Sequence, residues 1–242
     1  MPPTQPSPRI LAIETSSAQG SVALAEGDDL RAVADLATAS KHCQHLMPTI
    51  DALCRQVGWK PNDLNHIYVS AGPGSFTGLR ISITIAKTLA TALDLQIVAV
   101  PTMRVIAARA ESLDEPPASL GVVLDAKRRQ VYASLFQLRD RQYEMVLDAC
   151  LMTPAELLER APRPVSLTGE GLAWHADAFH GQNIDWLDED YRMPRAQEVH
   201  RIGRRMAEQD EFTPPNELIP FYIRVPEAEE KWAERQRLAP PS

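Results

Sequence analysis

Residues Tyr68–Leu93 read YVSAGPGSFTGLRISITIAKTLATAL, a short apolar run, a loop with three glycines and a proline, and then a long apolar helix pattern. A glycine-rich turn feeding a helix N-terminus presents unpaired backbone N–H groups and the positive end of the helix dipole. Gly74, Ser75, Thr77 and Gly78 therefore form a candidate anion site. The letters exclude two catalytic loops. A Walker loop ends in Lys followed by Ser or Thr, whereas Gly78 is followed by Leu79 and Arg80. A nucleophile elbow needs G-x-S-x-G, and Ser75 sits between Pro73 and Thr77 at the positions that require glycine. The structural alternative is a cap: Ser75 or Thr77 closes the helix start, and the glycines permit positive φ and close packing.

The helix that follows interleaves Ile81, Ile83, Ile85, Leu89 and Leu93 with Ala86, Ala90 and Ala92. It is apolar nearly all round, which means burial on more than one side. One side meets the core, and the other meets either more core or a partner subunit.

Upstream, three strand-like runs (9–14, 20–26 and 30–36) are separated by Ser/Gly/Asp turn clusters. A helix pattern follows in which Leu46, Ile50, Leu53 and Val57 recur at i, i+4, i+7 and i+11, with Pro48 in its first turns. A strand (66–71), the glycine loop, the helix 76–93 and a strand (96–100) complete the half. The order then begins again with runs at 120–126, 130–138 and 142–150. A helix opens at Thr153-Pro154-Ala155-Glu156, a capping box with proline at the first helical position, and a strand at PVSLTGEG enters another glycine turn. Two halves with one order of elements predict an α/β protein of two duplicated lobes with mixed sheets, the pattern of the actin, Hsp70 and sugar-kinase superfamily (RNase H-like). The expected organisation is a disordered segment 1–8, a first lobe 9–101, a second lobe 102–225 and a polar tail 226–242. A helix over 196–210 is expected to pack back on the first lobe.

The 242 residues, 44% hydrophobic, suffice for a sizeable core. No run reaches the roughly 18–20 apolar residues of a membrane span, and the N-terminal residues carry no signal-like apolar stretch, so the expectation is a cytoplasmic protein without membrane contact. Three cysteines without a C-x-x-C pair indicate neither a disulfide framework nor a zinc site. A net charge of -7 argues against a grip on nucleic acid by this chain alone. Lys127-Arg128-Arg129 and Arg201, Arg204 and Arg205 read as solvated faces, with tRNA contact as the alternative. Trp174 and Trp232 read as packing or tail-docking residues.

ILAIETSSAQGSVAL, AGPGSFTGLRISITIAKTLA, VLDAKRRQVYASLF and PFYIRVPEAE resemble four signature blocks of the bacterial TsaB family, formerly YeaZ. The resemblance runs from about Arg9 to Glu230. It implies a two-lobed, actin-like, non-catalytic paralogue of TsaD, which transfers a threonylcarbamoyl group to the adenosine beside the anticodon of certain tRNAs. It further implies binding to TsaD, with TsaE joining, a homodimer when alone, and tRNA engaged only through the complex. The interface that it implies lies on the helices 42–58 and 76–93, whose apolar positions are Leu46, Ile50, Leu53, Ile81, Ile85 and Leu89.

The residues themselves bear on the absence of chemistry. The catalytic relatives place a His-x-x-x-His metal pair just after the strand that follows the glycine-loop helix. Here that segment is Pro101–Ala108, and none of the six histidines falls between His66 and His175. His42 and His45 share a helix face but lack accompanying acids, so a solvated helix start is expected and no metal. The ATP site of the fold needs two small-residue hairpins. The first, Glu14-Thr15-Ser16-Ser17-Ala18-Gln19-Gly20, carries Glu where many relatives carry Asp; the second, from Asp125 to Gln130, has no glycine and three cations. Gly169-Glu170-Gly171 keeps something of an adenosine turn. The expectation is no cofactor and a vestigial anion or nucleotide site at Thr15, Ser16, Gly74, Ser75, Thr77, Gly78, Asp125 and Gly169. The competing reading is an enzyme, metal-dependent and peptidase-like or ATP-using.

Overall fold

The computed structural model describes residues 7–36 and 42–221, without the side chains of residues 42 and 43. The His42 side chain, Trp232 and the tail 226–242 therefore lie outside the described residues.

Strands β1 (Arg9–Glu14), β2 (Ser21–Glu26) and β3 (Asp29–Asp35) form an antiparallel meander, and helix α1 (His42–Gln56) follows. Strand β4 (His66–Gly72), helix α2 (Phe76–Leu93) and strand β5 (Gln96–Pro101) then add two parallel strands beside β1. The sheet order is β3-β2-β1-β4-β5. After helix α3 (Thr102–Ala110) the pattern repeats. Strands β6 (Ser119–Asp125), β7 (Val131–Arg139) and β8 (Gln142–Met152) form a second meander, followed by α4 (Pro154–Arg160), β9 (Val165–Thr168), the short α5 (Gly171–Trp174), β10 (Ile184–Trp186) and α6 (Ala196–Glu208). The second sheet runs β10-β9-β6-β7-β8, the same order read from the other edge. Within each sheet the first three strands are antiparallel and the last two join parallel. This duplicated topology is the two-lobed actin-like, sugar-kinase-like α/β fold that the repeated order predicts.

Strands β1, β2, β4 and β5 of the first sheet are apolar on both sides because both faces are covered, while the edge strand β3 is largely exposed. Leu11, Ile13, Val22 and Leu24 point to one face, where α1 and α2 lie, while Ile10, Ala12, Ala23 and Tyr68 point to the other, beneath α6. Each fully buried Leu or Ile here contributes about 1.5–3 kcal/mol relative to exposure. The helices that end each half exchange places. Helix α6, from the second half, packs on β1, β2, β4 and β5, and α3 packs on the second sheet through Met103, Ile106, Ala107 and Ala110. Val105 and Ala108 on the opposite side of α3 touch the first sheet, so α3 is sandwiched between the two. The Ala196 amide at the start of α6 donates to Ser21 Oγ at 2.9 Å. Gly203 lets α6 approach the Tyr68 ring more closely than a Cβ would allow.

Candidate functional site

Four loops converge at the ends of β1, β4, β6 and β9, where the parallel strands of both sheets open, the usual location of sites in open α/β sheets. The β1–β2 turn supplies Ser16, Ser17 and Ala18, the β4–α2 loop Gly74 and Ser75, and the β6–β7 turn Asp125 and Lys127. Glu170, at the β9–α5 turn, and Trp174 close a cavity of about 390 Å³ between the lobes. Of the positions expected in an anion site, Ser16, Gly74, Ser75 and Asp125 line it. Thr15 and Gly78 lie buried behind the wall, and Thr77 is exposed on the first turn of α2. Gly169, with φ at 108°, packs against the Val123 backbone where a Cβ would not fit.

The polar atoms of these loops are largely turned on one another. The Ser75 amide donates to the Ser16 carbonyl at 2.6 Å, and Ser75 Oγ, the N-cap of α2, accepts from the Gly78 amide at 3.3 Å. Thr15 Oγ1 donates to the Gly78 carbonyl at 2.8 Å. A Cβ at Gly74 would overlap the Ser16 carbonyl, and one at Gly78 would overlap the Thr15 carbonyl. Both glycines thus serve the contact between the loop and the first hairpin.

Glu14 is fully buried and faces away from the cavity. Its carboxylate accepts from the Ser16 amide, from Ser16 Oγ at 2.6 Å and from Ser70 Oγ. Burial raises its pKa, with the serine hydrogen bonds pulling the other way. Asp125 Oδ2 receives the Lys127 ammonium at 2.8 Å, and Oδ1 accepts from His175 Nε2 at 3.0 Å and the Lys127 amide at 3.1 Å. Burial pushes the Asp125 pKa up, but the Lys127 and His175 hydrogen bonds outweigh it and hold the carboxyl below its ordinary value. The Lys127 ammonium also lies 5.2 Å from the centre of the Trp174 ring. Lys127, Arg128 and Arg129 all adopt left-handed conformations (φ 62°, 52° and 60°), which non-glycine residues rarely do. Glu170 brings a second carboxylate into the cavity, its pKa raised by burial and by Asp125. A polyphosphate entering here meets two acids and a lysine already paired with one of them. Among the described residues no group of three or more His, Cys, Asp or Glu is placed to hold a metal ion.

The helices α1 and α2 form the outer layer of the first lobe. Leu46, Ile50 and Leu53 are 0%, 5% and 4% exposed and pack against the first sheet, so the α1 stripe faces the chain's own core. Ile81, Ile85 and Leu89 are half-buried against the same cluster. The side chains that face outward are others. Met47 is 43% exposed and Phe76 37%, and α2 presents Thr84, Thr88 and Thr91. Arg80 covers the Phe76 ring at 3.9 Å. Beside α2 runs the segment 214–221, of which the sequence had singled out the last two residues, Pro220 and Phe221, as the start of a signature block. It is held by Lys87 Nζ donating to the Leu218 carbonyl at 3.3 Å and by the Phe221 amide donating to the Ala71 carbonyl at 2.7 Å. It leaves Ile219 71% and Phe221 51% exposed.

The arginines of α6 are not a solvated face. Arg201 and Arg205 reach the buried Glu111, and Arg204 pairs with Glu208 at 3.0 Å and Asp28 at 3.5 Å. No helix among the described residues is long and apolar enough to cross a membrane.

Known proteins share this architecture. A family model described as TsaD, tRNA N6-adenosine threonylcarbamoyltransferase, matches residues 36–232. The tRNA threonylcarbamoyladenosine biosynthesis protein TsaB of Bacillus subtilis (strain 168) is 33% identical over 239 residues, 94% of this chain and 99% of the relative. TsaB of Escherichia coli (strain K12) is 28% identical over 224 residues, covering 89% and 94%. Among solved structures, YeaZ from Pseudomonas aeruginosa superposes with a TM-score of 0.77 at 23% identity, over 89% of this chain and 99% of that one, a likeness of fold. With a relative one-third identical along its whole length and the same duplicated fold, this chain belongs to the TsaB (YeaZ) family.

Proposed function

We propose that the chain is a non-catalytic, activating subunit in the formation of N6-threonylcarbamoyladenosine in tRNA. It acts in the cytoplasm by binding a TsaD-type transferase through the outer face of α1 and α2, with TsaE joining that assembly. A second copy of the chain takes the same face when the transferase is absent. The relatives named for this tRNA modification support the pathway, and tRNA reaches the chain only as part of the complex, in keeping with the net charge of -7.

The observation that carries the non-catalytic reading is the internal use of the acids on the two hairpins; Glu170 lines the cavity beside them, its pKa raised by burial and by Asp125. Asp125 is satisfied by Lys127 and His175, and Glu14 by Ser16 and Ser70. A nucleophile, general base or metal ligand has to be free to meet a substrate. For the partner face, support comes from exposed apolar side chains at Met47 and Phe76 set among threonines, a mixture typical of an interface core with a polar rim.

Reconstitution tests the reading. Purified TsaD and TsaE are combined with tRNA and an enzyme that supplies threonylcarbamoyl-adenylate, with and without this protein. Modified adenosine is expected in quantity only when it is present. Equal modification without it, or turnover of ATP by the isolated chain, overturns the proposal.

A further inference from the structure

The junction between the lobes, behind the cleft, contains one buried carboxylate shared by both. Glu111 follows the last turn of α3, and its side chain is 3% exposed. Oε2 accepts from Arg201 Nη1 at 3.1 Å and Arg205 Nη2 at 3.2 Å, two residues one turn apart on α6. Oε1 accepts from the Tyr143 amide at 3.0 Å. Helix α6 rests on the first sheet, and β8, which carries Tyr143, is an edge strand of the second. The two oxygens of a single carboxylate therefore tie one sheet's covering helix to the other sheet's edge. A second tie runs parallel to it, from Arg109 on α3 to Glu198 on α6 at 3.5 Å.

A buried carboxylate paired with two arginines that are themselves 36% and 31% exposed contributes little net stability over apolar groups of the same volume, because desolvation and solvent screening offset the attraction; what it supplies is orientation. Two-lobed folds of this type have a natural hinge at the segments joining the sheets, and this cluster sits on that joint. We propose that Glu111 is the pin of an interlobe clasp that fixes the angle between the two sheets, so that the chain itself, rather than a bound ligand, sets the opening of the cleft. In this form the protein is a rigid platform. The inference concerns the isolated chain and stands or falls independently of the partner reading.

Nitroxide labels at Thr88→Cys on α2 and Glu159→Cys on α4, with the three native cysteines replaced, report the distance between the lobes by pulsed electron resonance. The unmodified clasp is expected to give one narrow distribution that saturating Mg-ATP leaves unchanged. Glu111→Gln, which keeps shape and loses charge, and the triple variant Glu111→Leu, Arg201→Met, Arg205→Met, which leaves no buried charge uncompensated, are expected to broaden it. In the triple variant the Tyr143 amide is expected to exchange about tenfold faster, the equivalent of one lost net hydrogen bond, while amides in the middle of β1 keep their protection. A triple variant that is folded by circular dichroism and keeps the narrow distribution overturns the proposal. So does unfolding of both variants, since Glu111 would then be a requirement of the fold rather than a constraint on the angle.

Discussion

Substituting Gly78 by Ala separates two explanations of the glycine loop by the sign of the effect. Gly78 is in the first turn of α2, where helix propensity alone favours alanine by up to about 1 kcal/mol. If the glycine were present only to let a ligand approach, Gly78→Ala would leave the protein as stable as before or more so. The structure predicts the opposite. A Cβ at this position overlaps the backbone carbonyl of Thr15, which cannot swing aside as a side-chain end would. Either α2 or the β1–β2 hairpin has to move, an overpacking that costs about 1–3 kcal/mol. The move also lengthens the 2.8 Å bond from Thr15 Oγ1 to the Gly78 carbonyl, worth about 0.5–1.5 kcal/mol. After the propensity gain is set against these terms, a net loss of about 1–3 kcal/mol remains, and for a chain of this size it lowers the thermal midpoint by about 3–10 °C. Urea unfolding followed by circular dichroism measures it, with Thr15→Val as the control that removes the hydrogen bond without the overlap and loses about 1 kcal/mol. A Gly78→Ala protein at least as stable as the parent refutes the packing explanation and returns the loop to the anion-site reading.

Three further outcomes follow from the same geometry. Leu46→Ala is expected to lose about 2–5 kcal/mol and Met47→Ala less than about 0.5 kcal/mol, by denaturant titration; equal losses would mean that α1 turns its Leu46 stripe outward. Met47→Asp combined with Thr88→Asp is expected to leave the unfolding midpoint nearly unchanged while weakening calorimetric binding to TsaD by at least about a hundredfold, because a charge buried unpaired at an interface costs several kcal/mol. Unchanged affinity removes α1 and α2 as the partner face. Burial holds His66 and His200 below the ordinary 6.5. The unfolded chain therefore takes up protons first, and stability falls as pH drops through 6.5 and onward until the buried rings titrate. His200→Gln, which can still donate to the Gly27 carbonyl, should make urea midpoints less steep in pH between about pH 7 and 5.5; Glu14, whose pKa burial raises, acts in the opposite sense but is common to both proteins and cancels in the comparison. An identical slope in the variant refutes the assignment of that titration to His200.

The elements with a local signal were legible. The helix read over 76–93 has those limits, and the Thr153–Glu156 capping box forms, with the Thr153 amide donating to Glu156 Oε2 at 2.7 Å. Helix α3 was not legible as a helix. Met103, Val105, Ile106, Ala107 and Ala108 are all buried because sheets lie on both sides of it, and with Arg104 alone exposed the polar edge is too narrow to reveal the period. Strand β10, three residues long, carries too few positions for alternation to register. In α1 the period is legible, and the interface at Leu46, Ile50 and Leu53 was implied by the resemblance alone. A stripe at i, i+4 and i+7 states that one face is covered, and the covering surface here is the chain's own sheet at Leu11, Ile13, Val22 and Leu24.

The cleft illustrates a deeper limit. The letters identified the loops that meet there, because duplicated topology brings equivalent turns to one place, and they identified Asp125 as the acid on the second hairpin. They could not show that Lys127 folds back on Asp125, or that His175, fifty residues away in sequence, completes the pair. Neither contact has a spacing rule. Arg201 and Arg205 failed for the same reason, since a basic run on a helix reads as solvated until a buried carboxylate from another element is found opposite it. The chemistry that such a framework can offer therefore depends on where the bonds of its polar residues are directed as well as on which residues are present. Here the acids of the two hairpins, Glu14 on the first and Asp125 on the second, have hydrogen-bond partners within their own lobes, while Glu170 lines the cavity beside Asp125.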